Sequence, residues 1–140
     1  MTFFDTNVLI AASVNHHPHH EACSKRLAQI QRSGGSCAAH TLAEAYSTLT
    51  REGKGYGVPP LIALQIIKNI GKNFTLVSLT ANEMLHTLED AAEQGLAGPL
   101  IYDALILACA RKIQAKTIYT NDVQDFKRVG PDLASRIHLP

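Results

Sequence analysis

The sequence has few of the residues that would support covalent or redox chemistry. Three cysteines, Cys23, Cys37 and Cys109, occur in 140 residues, and no two form a CxxC pair. An odd number of thiols in apolar or small-residue surroundings fits reduced core residues, and argues against a disulfide framework or a zinc site. No GxSxG elbow offers an activated serine, and no GxxxxGK[ST] or GxGxxG loop offers a phosphate cradle. No apolar run approaches the roughly 18 residues that span a bilayer, and the first residues lack a basic leader region. These absences predict a cytoplasmic protein that does not insert into a membrane. Net charge is also nearly absent: 13 Lys and Arg stand against 12 Asp and Glu. A balance so close to zero neither requires nor excludes a nucleic-acid partner, because a basic rim can surround an acidic site.

What is present is ordinary globular composition, 46% hydrophobic and 18% charged, in a length that suits one domain over residues 1–140. Short apolar runs predict strands at Thr2–Phe4, Ser36–Ala38, Thr75–Ser78 and Thr117–Tyr119. Helical patterns fall at Glu21–Ile30, Leu42–Arg51, Pro60–Ile70, Ala81–Glu93 and Pro99–Gln114, with a short helix after Asp122. Gly-rich punctuation separates these elements, no stretch is long enough for an interdomain linker, and no internal repeat occurs. Strands that alternate with helices imply an α/β fold, a mainly parallel sheet with right-handed crossovers and helices on both faces. Such sheets bind ligands beyond the carboxyl ends of their strands, and Asp5 follows the first strand directly.

Four acids invite explanation. Asp5, in the opening "MTFFDTNVLIAA", and Asp122, in "TNDVQDF", each have an N-cap alternative. Glu44 in "TLAE" has a capping-box alternative with Thr41. Asp103 is harder to explain in this way. It lies in "GPLIYDALILACA", where Pro99 suits a first helical turn and nearly every following residue is apolar. A carboxylate in such surroundings costs several kcal/mol unless it is paired, hydrogen-bonded or bound to a cation. The nearby sequence supplies no basic partner, and the other acids would only repel it. A divalent ion reconciles all four. Hard oxygen donors favour Mg²⁺ or Mn²⁺, ions that lower the pKa of a bound water and offset charge on a phosphodiester under attack.

Taken together, "FFDTNVLIAA", Glu44 in "HTLAEAYSTLTR", "YDALILACA" and "IYTNDVQDF" make the sequence resemble a PIN domain, most closely the VapC-type ribonuclease toxins of toxin-antitoxin pairs. The resemblance implies a three-layer α/β/α sandwich and a Mg²⁺- or Mn²⁺-dependent endoribonuclease. It further implies a homodimer silenced by a cognate antitoxin. Carried over by position, Asp5, Glu44 and Asp103 would be the core acids and Asp122 the fourth, with Asp125 the alternative at that place. Asn7 and Thr120 would support the cluster.

Other features have plainer readings. "NHHPHHEAC" reads as a polar loop into a long helix, His40 as a packed loop residue and His86 as a helix-surface residue. The basic residues, Arg32 among them, read as solvated surface charge. Arg51, Lys54, Lys127 and Arg128 are candidate RNA phosphate contacts because they lie near Glu44 or Asp122 in sequence. The Leu- and Ile-rich "VPPLIALQIIKNI" is core, or a surface for a second copy or an antitoxin. Two other functions stay open. A haloacid-dehalogenase-like phosphatase also begins with an aspartate after the first strand but expects a second Asp where this chain has Asn7. A non-catalytic PIN-like RNA-binding module would keep the fold and lack the chemistry.

Overall fold

The computed structural model describes residues 1–30 and 33–140, so Arg32 lies outside the described residues. Five strands, β1 (Thr2–Phe4), β2 (Gly35–Ala38), β3 (Phe74–Val77), β4 (Thr117–Tyr119) and β5 (Ile137–His138), form one all-parallel sheet in the order β3-β2-β1-β4-β5. The chain winds outward from β1 to one edge, then returns to place β4 on the other side of β1. The sheet therefore has a topological switch point between β1 and β4, where the connections diverge and leave a crevice.

Side-chain alternation along β1 sets the two sides of the core. Phe4 is fully buried among Val8 and Leu9 of α1 (Thr6–Ser13), Cys23 of α2 (His20–Ile30), Leu49 of α3 (Thr41–Thr50) and Ile67 of α4 (Pro60–Asn73). Phe3, equally buried, faces Ile106 and Leu107 of α6 (Leu100–Lys112), Phe126 of α7 (Val123–Val129) and Leu133 of a 3-10 turn, Pro131–Arg136. On this second side α5 (Ala81–Glu93) packs along α6. Burial of each Phe side chain contributes roughly 2–3 kcal/mol. Gly35 opens β2 where space is short: a Cβ there would meet Ile30 Cδ1 at 2.7 Å and Phe74 Cε1 at 2.8 Å.

The α/β architecture expected from the sequence is present, with differences at element boundaries. A separate helix α1 follows Asp5. β3 starts one residue early and α4 extends to Asn73. α6 stops at Lys112 because Gln114 turns the chain with a left-handed φ of 52°. The sequence pattern does not predict the strand β5. It consists of two residues and exists through its pairing of Ile137 with Ile118 and His138 with Tyr119. All three cysteines are buried and free. Among the described residues, no helix is long and apolar enough to cross a membrane.

Candidate active site

The switch point brings Asp5 beside Thr120. β1 and β4 pair through Phe4 and Tyr119, and the Asp5 amide continues the ladder by donating to the Tyr119 carbonyl at 2.9 Å. Asp5 occupies the N-cap position of α1 but makes no side-chain cap bond. Its carboxylate instead accepts from the Thr120 hydroxyl at 2.8 Å, and that hydroxyl accepts from the Asp122 amide at 3.0 Å. Only 4% of Asp5 is exposed. Burial pushes its pKa up to about 8; the Thr120 hydrogen bond opposes the shift, and the charges of Asp103 and Glu44 add to it.

Glu44 reaches the same edge from α3. The capping-box alternative does not describe it, because Thr41 lies inside the helix and its hydroxyl shares a 2.9 Å hydrogen bond with Thr6. Thr6 also donates to Glu44 Oε2 at 3.3 Å, so the first turns of α1 and α3 are tied together beside Asp5. Partial burial raises the Glu44 pKa and the Thr6 bond opposes it. His40 Nε2 lies 3.8 Å from Glu44 Oε2, but burial lowers the His40 pKa, which leaves a neutral ring rather than a counter-ion.

Asp103 is half-buried, and the first turn of α6 emerges into the crevice before the helix enters the core at Ala104. Its pKa is raised to about 6, first by desolvation and then by the charges of Asp122, Asp125 and Glu44. Asp122 accepts from Asn7 Nδ2 at 3.0 Å, and Asn7 Oδ1 accepts from the Asn121 amide at 3.2 Å. Asn7 thus holds the β4–α7 junction against α1. Asp125 is exposed in the first turn of α7. Both aspartates act on Asp103, and only Asp122 is held by Asn7.

Among the described residues, no Lys or Arg is within ion-pair distance of Asp5, Glu44, Asp103 or Asp122. Nor do any three His, Cys, Asp or Glu side chains, as they stand, form a group able to hold one metal ion. Like charges in a metal-free cluster separate. The donor set, carboxylate oxygens with neutral hydroxyl and amide neighbours, is of the kind that a hard divalent cation takes.

Arg51 is exposed and lines a cleft next to Glu44, whereas Lys54, Lys127 and Arg128 are exposed with no ion pair among the described residues. The histidine tract forms the turn between α1 and α2, where His16 and His17 pack against Tyr56. His86 is exposed on α5. Sequence reasoning missed the Thr6–Thr41 link and the exposed Tyr102; the available signals were that Thr6 follows Asp5, that Thr41 lies three residues before Glu44 and that Tyr102 precedes Asp103.

The chain matches the PIN domain family over residues 2–131. The chain belongs to the PIN domain family. Its fold is similar to that of VapC20 from Mycobacterium tuberculosis, a toxin that cleaves the sarcin-ricin loop: TM-score 0.71, 18% identity, covering 89% of this chain and 92% of that one. It is also similar to VapBC2 from Rickettsia felis, bound to a DNA fragment from its promoter, with TM-score 0.64, 20% identity and coverage of 91% and 92%. No curated protein sequence matches this PIN domain.

Proposed function

We propose that this PIN domain is a VapC-like toxin, a Mg²⁺- or Mn²⁺-dependent endoribonuclease that hydrolyses RNA phosphodiester bonds and is silenced by a cognate antitoxin. The observation that carries this reading is the environment of Asp5. A carboxylate is buried at the switch point, its pKa raised to about 8, with other acids around it and, among the described residues, no basic side chain paired to it. Such an arrangement is costly for the metal-free fold and becomes favourable when a cation is supplied.

In this reading Asp5, Glu44, Asp103 and Asp122 hold the ion, Thr120 orients the Asp5 carboxylate and Asn7 orients Asp122. A bound Mg²⁺ or Mn²⁺ would supply a water of lowered pKa and charge neutralisation at the scissile phosphate. Arg51 is placed beside Glu44 to contact substrate phosphate, and Lys54, Lys127 and Arg128 add positive charge at the surface. The phosphatase alternative loses support because the place of its second aspartate is taken by Asn7, whose side chain is committed to Asp122.

An acidic site of this kind is simply blocked by a partner arginine, whose planar fork can bridge two carboxylates. The antitoxin would insert that arginine while an apolar helix covers Leu61, Ile62 and Leu64, which are exposed on α4. In this reading the active toxin is a homodimer, and light scattering of the purified protein, with a mass of twice the chain expected and a monomer mass refuting it, is the test.

The test is expression of the chain alone, with its neighbour-encoded partner, and as Asp5→Asn. Growth arrest by the wild type, relief by the partner and harmless Asp5→Asn support the reading. Equal arrest by Asp5→Asn removes the acidic site as the source of toxicity. Purified protein should cleave RNA with Mn²⁺ and stop in excess EDTA; activity unchanged by EDTA refutes metal dependence.

A further inference from the structure

Glu44, one of the four acids, borders a cleft of about 530 Å³ between α3 and the first turn of α6. Residues 43, 44 and 47 recur at helical spacing, so one face of α3 forms a wall with Ala43, Glu44 and Ser47, continued by Arg51 at the C-cap. Tyr102 forms the opposite side. It is 52% exposed, although most of the helix after it is buried, and it immediately precedes Asp103. Arg51 has no acidic partner among the described residues. A large aromatic side chain held half in solvent beside a phosphate-processing site, with a free guanidinium at the far end of the wall, has no evident role in stabilising the fold.

Resting on the ribonuclease reading, we infer that this cleft is a base-binding subsite for single-stranded RNA: one unstacked nucleobase lies on the Tyr102 ring while Arg51 contacts a neighbouring phosphate, next to the scissile bond at the acidic cluster. The lining favours this occupant over a protein helix. Its one large apolar surface is the tyrosine ring, set among Ala43 and polar or charged side chains, and it lacks the row of Leu, Ile or Met pockets that an amphipathic helix needs. A base needs one flat face and hydrogen-bonding groups at its edge. The hydroxyls of Ser47 and Thr48 on the wall provide the latter. Paired bases keep their faces stacked within the duplex, so the subsite selects unpaired RNA at the nucleotide beside the cut.

The test uses single-stranded oligoribonucleotides in which 2-aminopurine is moved one position at a time. Binding is measured in an Asp5→Asn background so that no cleavage interferes. Stacking on Tyr102 should quench the fluorescence at one position. Tyr102→Ala should abolish that quenching and weaken Kd between about fivefold and a hundredfold, whereas Tyr102→Phe should retain both. In the Asp5-intact protein with Mn²⁺, Tyr102→Ala should lower kcat/KM to a similar extent and relax the base preference beside the cut, with Mn²⁺ affinity unchanged. RNA that fails to bind, or that binds Tyr102→Ala as tightly as Tyr102, overturns the subsite. So does a Tyr102→Ala protein that binds RNA normally but loses its antitoxin, which would assign the cleft to the protein partner. Tyr102-dependent quenching in an Asp5-intact chain that cuts no RNA would instead reject the nuclease reading and leave the subsite standing.

Discussion

Replacing Asp5 with asparagine should stabilise the metal-free protein at neutral pH, the reverse of what deleting a buried, hydrogen-bonded carboxylate ordinarily does. The folded-state pKa is about 8 against a reference of 3.8. Below pH 3.8 the folded and unfolded chains both carry the proton; between 3.8 and 8 only the folded chain does. Stability from this group is therefore fully present in acid and is lost as pH rises through that window. At pH 7 the loss spans about three pH units, or about 4 kcal/mol at 1.36 kcal/mol per unit. Asparagine cannot ionise and keeps an oxygen to accept from Thr120. Its extra N–H donor in a buried site offsets about 1–3 kcal/mol of that gain. A net stabilisation of about 2 kcal/mol is expected at pH 7, shrinking to nothing or reversing near pH 4. Urea unfolding in EDTA at the two pH values, followed by far-UV circular dichroism because the chain has no tryptophan, measures the difference. Comparing the two curves cancels the other titrating groups. A difference that does not grow with pH would refute the reasoning. Saturating Mn²⁺ should reverse the order, since only the wild type gains binding energy from a complete ligand set.

Asp103→Asn and Glu44→Gln should each reduce Mn²⁺-dependent RNA cleavage by about a hundredfold or more, with an unchanged circular dichroism spectrum. Thr120→Val removes both the donor to Asp5 and the acceptor for the Asp122 amide; it should cost about 1–3 kcal/mol in urea unfolding and lower cleavage, and Thr120→Ser should restore both. Asp122→Asn should damage cleavage more than Asp125→Asn, because Asn7 positions only the former; the opposite order would move the fourth ligand to Asp125. Arg111→Ala breaks a bidentate pair with Asp132 at 2.7 and 2.8 Å, yet both side chains are well exposed, so a loss of at most about 1 kcal/mol with unaltered cleavage is expected.

The parts of the fold that could be read from the sequence are those set by local pattern. Consecutive Phe3 and Phe4 announce a strand buried on both faces, and Pro60 and Pro99 mark helix starts at α4 and α6. What could not be read depends on contacts distant in the chain. β5 has two residues and no pattern of its own; Ile118 supplies its reason to be extended. α1 is short and apolar with β-branched residues, a composition that suits a strand as well as a helix until α2 and α3 cover it. The spacing of Thr41 and Glu44 suggests a capping box, but tertiary structure draws Thr41 to Thr6, 35 residues away.

For Asp103 the sequence shows one source of conflict and the fold adds a second. Sequence alone places Asp103 in an apolar helix and predicts burial as the source of conflict. In the fold, the first turn of α6 is half open. Desolvation remains the largest influence on Asp103, and three carboxylates from α3 and the β4–α7 junction add to it. Those carboxylates meet because the strand order reverses between β1 and β4, which no local periodicity encodes. The same turn of helix presents Tyr102 to solvent one residue earlier. Moving that turn into the core would satisfy Asp103 no better and would bury the ring, so the partial emergence of α6 keeps Asp103 half open and leaves the Tyr102 ring facing the cleft that Glu44 borders.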